Sequence, residues 1–201
     1  MILILLICFT YKKELGVDWV LLLKHDSTGG VMFSSLDEAK FCDLPKKYSI
    51  IGCISNFSRI NGKFEFLLEY PGISGYNRWK QTNFPLWEPD NNTAAIGFEA
   101  ISLTWTDNNF GGLFRSTLTE TLFDGSIGNG YWYYAVGVVT NWWSSSFCSP
   151  PGDCFPGPIT TTQSVELWMR VGEGGLYQKT YFLNKMKARA FLSLFISLIP
   201  L

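Results

Sequence analysis

The sequence predicts an all-β protein, an antiparallel β-sandwich or jelly roll with one or two short helices near residues 36–56. Several segments alternate apolar and polar residues with a period of two, which indicates half-buried strands. Glycine- and proline-rich connections separate these segments. Because long helices do not alternate with the strands, a parallel α/β plan is excluded and a sandwich or jelly roll is favoured.

The first predicted elements are a strand and a helical segment. Residues 17–23 are nearly apolar on both faces, which is typical of a well-covered strand. Gly29 and Gly30 then turn the chain. Residues 36–56 contain helix formers and apolar residues at helical spacing, and Pro45 suits a first helical turn. We expect two short helices here that cap the sandwich.

Three strands are expected in the middle of the chain. Residues 63–70 alternate aromatic and aliphatic side chains with mainly charged ones, so we expect a half-exposed strand. Residues 99–105 form a second strand that points Ile101 and Trp105 inward. Residues 117–123 form a third, with a weaker pattern.

Two more strands complete the predicted domain. Residues 131–139 are almost wholly apolar, which favours a long strand at the centre of a sheet. Residues 164–171 point Val165 and every second residue after it inward, which leaves Trp168 on the opposite face. The pattern ends at the glycine-rich residues 172–175.

These elements divide the chain into three parts. Residues 17–171 form the sandwich domain, a size that suits one core. Residues 1–16 are interpreted as a signal peptide or an amino-terminal extension. Residues 172–201 are a linker and a hydrophobic tail that is shorter than the about 20 residues of a membrane span. The tail has three open interpretations: an interfacial membrane anchor, a lipid-anchor signal, or an end that is not native.

Composition excludes nucleic acid as a partner. Only 16% of the residues are charged and the formal net charge is −1, so no basic field is available to hold a phosphate backbone. Aromatic residues make up another 16%, in keeping with strands, which favour such side chains.

The cysteines and sequons suit a secreted or cell-surface protein. Removing an apolar amino-terminal run with Cys8 would leave four of the five cysteines. Cys148 and Cys154 bracket Ser-Pro-Pro-Gly-Asp, and we predict a disulfide between them. Cys42 and Cys53 either pair or remain free thiols. Two sequons predict glycosylation at Asn56 and Asn91.

No catalytic or zinc-binding pattern is evident. His25 is the single histidine, and because no Gly-x-Ser-x-Gly elbow accompanies it, we interpret it as an exposed turn residue. Without a Cys-x-x-Cys pair, zinc has no ligand set of the usual spacing. Glu65, Glu69 and Glu166 could form a glycosidase carboxylate pair, but outward acidic residues on strands are ordinarily a solvated face. We therefore predict a protein that is not an enzyme.

The most informative candidate site is a polar, basic and aromatic heptapeptide, residues 77–83. One interpretation has Trp79 as a core anchor with solvated basic neighbours. The other has its indole stacking on a sugar or peptide surface while guanidinium and amide groups donate hydrogen bonds. On the second interpretation the ligand-binding residues are Asn77, Arg78, Trp79, Lys80 and Gln81.

Two further loops are candidates for binding. Asp107, Asn108 and Asn109 offer oxygen ligands that suit calcium, although a turn needs the same residue types. No other cofactor is expected. Trp142 and Trp143 are adjacent, and because neighbouring strand residues point to opposite faces, at least one should be exposed if the strand continues that far.

Eight short motifs occur in a familiar order over residues 17–171. The motifs are Asp18-Trp19-Val20-Leu21, Lys47-Tyr48-Ser49-Ile50, Gly62-Lys63-Phe64-Glu65-Phe66, Asn77-Arg78-Trp79-Lys80-Gln81, Gly111-Gly112-Leu113, Asp124-Gly125-Ser126, Trp132-Tyr133-Tyr134-Ala135-Val136-Gly137 and Val165-Glu166-Leu167-Trp168. Through these motifs the chain resembles an extracellular module that recurs in secreted and surface proteins of protists and invertebrates and has no agreed ligand. The module is loosely similar to fibrinogen-like and other lectin-type domains.

The resemblance implies a secreted, β-rich recognition domain. Together with the candidate loops, it leads us to expect a non-catalytic extracellular module that binds a glycan or a protein at a cell surface. The alternatives are a structural or adhesive surface module without a small ligand, and a carbohydrate-active enzyme. The insert bracketed by Cys148 and Cys154 and the carboxyl-terminal tail depart from the module's pattern.

Overall fold

The computed structural model describes residues 10–53, 59–88, 93–128, 133–140, 154–158 and 161–172. The fold is all-β and antiparallel, as predicted. The strands are β1 Tyr11–Glu14, β2 Val17–Asp26, β3 Cys42–Leu44, β4 Lys47–Ser49, β5 Phe64–Glu69, β6 Asn77–Gln81, β7 Glu99–Leu103, β8 Phe110–Arg115, β9 Thr121–Ser126, β10 Val136–Val138, β11 Phe155–Pro156, β12 Thr161–Thr162 and β13 Ser164–Arg170. One α-helix, α1 Leu36–Lys40, and the 3₁₀ turns Ile51–Cys53 and Pro85–Trp87 accompany them.

Eight of these strands form one large sheet. Its order is β3-β4-β2-β13-β5-β6-β7, and β1 pairs with the first half of β2. Leu15 and Gly16 join β1 to β2 with positive φ angles of 53° and 76°, the two-residue turn that suits the twist of a hairpin. The central strands are buried on both faces.

A three-stranded sheet of order β10-β9-β8 forms the second layer, and β11 pairs with β12 in a short ribbon. Aromatic side chains join the layers: the ring of Trp79 lies 5.1 Å from that of Phe110 on β8 and 5.4 Å from that of Phe66 on β5. We call the face of the large sheet that meets the second layer the inner face, and the opposite one the outer face.

The helical prediction is half right. Leu36–Lys40 is helical, with the Ser35 hydroxyl accepting a hydrogen bond from the Glu38 amide as a cap. The second predicted helix is wrong, because residues 42–49 form the hairpin β3-β4, followed by the 3₁₀ turn. Tyr48 pairs with Lys24 on β2, so completing the sheet outweighs the weak helical preference.

For two strands, β5 and β7, the predicted exposure of the side chains is wrong. β5 is buried on both faces, since Glu65 and Leu67 on its outer side are 1% and 0% exposed. β7 is the last strand of the large sheet and is mostly exposed; Ile101, predicted to face inward, is 40% exposed. The pairing with β6 shifts register at β7, which displaces the expected alternation. Trp105 is buried, as predicted.

The remaining strands differ mainly in length and position. Residues 164–170 form β13 as predicted, whereas the strand predicted at 117–123 begins at Thr121. Of the strand predicted at 131–139, the described residues 133–139 form a strand only at Val136–Val138, which lies at the end of its sheet rather than at the centre. The sequence of β10 is apolar because both of its faces are buried, although it is an edge strand of its sheet.

The sheet begins before the predicted boundary at residue 17, because β1 lies within residues 1–16. Residues 1–9 and 173–201 are outside the described ranges, so the signal peptide and the tail's membrane contact stay predictions. Within the ranges given above, no helix has the length and apolar character to cross a bilayer.

Candidate functional site

The candidate heptapeptide is built around strand β6, which alternates between the two faces of the large sheet. Asn77, Trp79 and Gln81 point to the inner face and are each 0% exposed. Arg78 and Lys80 point to the outer face and are partly exposed. The strand therefore separates the five predicted ligand-binding residues into two groups that cannot contact one ligand.

The inner group is held by buried hydrogen bonds, and those of Gln81 reach Leu113 on β8 in the second layer. The Asn77 side chain exchanges two of them with the backbone of Trp105, at 2.8 and 2.9 Å. The Gln81 amide oxygen accepts from the Trp79 indole and from the Leu113 backbone, at 2.8 and 3.1 Å. Its nitrogen donates to the carbonyls of Asn83 and Leu113. Trp79 is thus the core anchor of the first interpretation, and its predicted exposed indole is wrong.

The outer group belongs to an ion-pair cluster around Glu65. This carboxylate is 1% exposed and accepts from Arg78 Nε at 2.8 Å and from Arg170 Nη1 at 2.9 Å. The guanidinium of Arg78 also lies 5.5 Å from the ring of Trp19. Paired in this way, the buried carboxylate and the two guanidiniums stabilise each other.

The other candidate carboxylates of this face are also bound to cations. Lys12 binds Glu69 and lies 4.5 Å from the ring of Trp168, which explains why that outer-face indole is only 5% exposed. Lys24 lies 2.9 Å from Glu166. The arrangement supports a structural role for these acids rather than the glycosidase alternative.

The Asp107–Asn109 segment forms a turn. Asn108 and Asn109 have φ angles of 55° and 53°, a conformation that asparagine tolerates better than most residues. The Asn108 amide donates to the Pro158 carbonyl at 2.9 Å, and Tyr134 donates its hydroxyl proton to the Asp107 carbonyl. Among the described side chains, no group of three or more His, Cys, Asp or Glu residues could hold a metal ion. Calcium binding here stays a prediction.

Several predicted residues lie outside the described ranges. They are Asn56, Asn91, Trp142, Trp143 and Cys148.

Cys154 is 3% exposed and disulfide-bonded, but its pairing with Cys148 stays a prediction. Cys42 is a buried free thiol, one of its two predicted states. Burial and the nearby Glu38 carboxylate raise its thiol pKa, so it is a weak nucleophile.

His25 is fully buried, so its prediction as an exposed turn residue is wrong. Its ring lies parallel to that of Phe155 on β11 at 5.2 Å and 4.8 Å from that of Phe33. Its Nε2 lies 2.9 Å from the Val31 carbonyl and therefore donates to it, while Nδ1 is buried without a partner. Burial lowers the pKa of His25 to about 4. The neutral ring packs as an aromatic core residue.

Among the described tryptophans, Trp87 is the exposed one, and sequence reasoning missed it. It lies in the 3₁₀ turn Pro85–Trp87 and is 43% exposed. One part of the ring packs against Phe84 and Phe64, at centroid distances of 5.3 and 6.2 Å. The flanking Pro85 and Pro89 were the available signal, because prolines on both sides keep a residue out of a central strand.

The loop that carries Trp87 is held in place on both sides. The Glu88 carbonyl accepts from the Arg115 backbone, and the Glu88 carboxylate accepts from the Ile96 backbone at 2.8 Å. Ile96 is itself 49% exposed. Arg59 lies against the ring of Phe64, with 5.2 Å between its guanidinium carbon and the ring centroid. We call the surface formed by Arg59, Trp87 and Ile96 the Trp87 site.

No family model, curated protein or solved structure matches the chain.

Proposed function

We propose that the protein is a non-catalytic recognition module, secreted or displayed at a cell surface, that binds a glycan through the Trp87 site. The observation that carries the proposal is the 43% exposed indole held against Phe64 and Phe84. A tryptophan fixed on a rigid scaffold loses little conformational entropy on binding and presents a large apolar face with a polar N–H.

The shape of this site suits a sugar ring. An indole face can cover the apolar C–H face of a pyranose while neighbouring polar groups bond to its hydroxyls. Ile96 adds exposed apolar surface to the site, and its backbone N–H donates to the carboxylate of Glu88, the residue that follows Trp87. Rigid aromatic anchors of this kind dominate the energy of many binding sites.

Removing the indole is expected to abolish most of the glycan binding. A glycan array identifies the ligands of the parent protein, and titration calorimetry then compares them with Trp87→Ala, for which we expect an affinity at least about tenfold lower. Phe41→Ala is the matched control, since Phe41 is also 43% exposed but follows α1 at the β3 side of the sheet. If no glycan binds the parent, or if Trp87→Ala binds as well as the parent, the proposal is wrong.

A structural or adhesive module is the second candidate, and strand β7 favours it. β7 is an exposed edge, with residues 99–102 all exposed, and such an edge can pair with another chain. Concentration-dependent self-association that a proline at Ile101 removes, without glycan binding, would favour this candidate over the first.

A further inference from the structure

The guanidinium of Arg59 has no anionic partner among the described residues. Its Nε is buried and makes no hydrogen bond, and its one recorded contact is with the ring of Phe64. By contrast, Arg78 and Arg170 share the carboxylate of Glu65. Arg59 therefore keeps a positive charge and N–H donors that no described residue uses.

This charge lies beside the exposed indole. Arg59 and Trp87 both contact the ring of Phe64, which places the guanidinium and the indole around one buried side chain. Phe64 is 0% exposed, so it serves as a fixed support for both. These distances of 5.2 and 6.2 Å to the ring centroid of Phe64 place the guanidinium carbon and the indole centroid at most about 11 Å apart, a span that a ligand of two or more sugar rings can bridge.

A second cationic group lies near Ile96 and favours an anionic ligand, because Lys63 donates to the neighbouring Gly97 carbonyl at 3.0 Å. Lys63 and Lys80 share one carboxylate, that of Glu99, at 3.0 and 3.6 Å, so this group keeps one positive charge in excess. The carboxylate of Glu88 is 1% exposed and already accepts a hydrogen bond from the Ile96 backbone. Its Oε2 is also buried, without a hydrogen-bond partner, so this carboxylate is out of the direct reach of a ligand at the surface.

We infer that the Trp87 site selects glycans that carry a carboxylate, such as uronic or sialic acid residues. The inference rests on the proposed function and names its ligand class. The planar guanidinium of Arg59 can donate two parallel hydrogen bonds to a carboxylate, a geometry that lysine cannot reproduce. The indole of Trp87 then supports the sugar ring that bears this acid.

Binding of matched acidic and neutral sugars tests the inference. The probes are an oligogalacturonate and its methyl ester, and sialyllactose and lactose, titrated into the full chain at low and at high salt. We expect at least one free acid to bind at least about tenfold more tightly than its neutral counterpart, with a smaller difference at high salt. Arg59→Gln should remove that preference, and Arg59→Lys should restore only part of it.

Controls separate this inference from the proposed function. Lys13→Gln removes an exposed positive charge on β1 and should keep the preference, and thermal unfolding confirms that each variant folds. Equal binding of acidic and neutral sugars, or a preference that survives Arg59→Gln, would overturn the carboxylate inference while glycan binding stands. Binding that survives Trp87→Ala would overturn the proposed function. Binding of polyglutamate but of no sugar would assign the site to an acidic protein and overturn both.

Discussion

Glu65→Gln is expected to lower the free energy of unfolding by about 3 to 5 kcal/mol, because it removes the shared partner of two partly buried guanidiniums. The carboxylate is 1% exposed, whereas Arg78 and Arg170 are 17% and 23% exposed in their side chains. Without the negative charge, two like charges remain close together on the outer face. Equilibrium urea unfolding, followed by tryptophan fluorescence, measures the loss.

Glu99→Gln is the matched control for this prediction. Glu99 also contacts two cations, Lys63 and Lys80, but its side chain is 51% exposed. Solvent screens such pairs, so we expect a much smaller loss than for Glu65→Gln. Equal losses for Glu65→Gln and Glu99→Gln would show that the Glu65 cluster is solvated rather than part of the packed sheet.

Acid should destabilise the protein through His25. Burial lowers the pKa of His25 from 6.5 to about 4, so below pH 6.5 the unfolded chain binds a proton that the folded protein excludes. The contribution of His25 to the free energy of unfolding is therefore complete above pH 6.5 and is lost as the pH drops toward 4. The loss is about 2 kcal/mol between pH 7 and pH 5 and about 3 kcal/mol at pH 4. Urea unfolding at a series of pH values measures it.

His25→Gln tests the assignment of this pH dependence. The variant is expected to be less stable overall, yet its stability should change little between pH 7 and pH 5. The carboxyl group of Glu38 affects stability only at lower pH, because hydrogen bonds from Lys47 and Ser34 lower its pKa to about 2. A parent protein with constant stability from pH 7 to pH 5, or a variant with the parent's slope, would contradict the role of His25.

The fold class was predictable because the alternation of β5 and β13 and the turn residues between strands are local signals. Which side chains of these strands are exposed to solvent could not be predicted from such local signals. The outer face of β5 carries Glu65 and Glu69, which suggest solvent, but arginine and lysine side chains from neighbouring strands cover that face. A single sequence does not reveal which strands supply these partners.

The prediction that Trp79 displays its indole was wrong for a related physical reason. Asn77, Trp79 and Gln81 alternate with Arg78 and Lys80, which is the period of a strand, but two of the three inward residues are amides. Because their hydrogen bonds to Trp105 and Leu113 replace water, these amides are as buried as leucines. Polarity in this segment therefore does not indicate exposure, whereas Trp87, the most exposed of the described tryptophans, lies in an apolar and proline-rich segment that resembles core.

The central claim is that Trp87, and not Trp79, is the indole displayed to a ligand. Hydroxyl-radical labelling of the folded protein, with oxidation of each tryptophan read by peptide mass spectrometry, tests it directly. We predict fast oxidation of Trp87 and strong protection of Trp79, as the exposures of 43% and 0% require. Oxidation of Trp79 at the rate of Trp87, or protection of Trp87 in the free protein, would contradict the account.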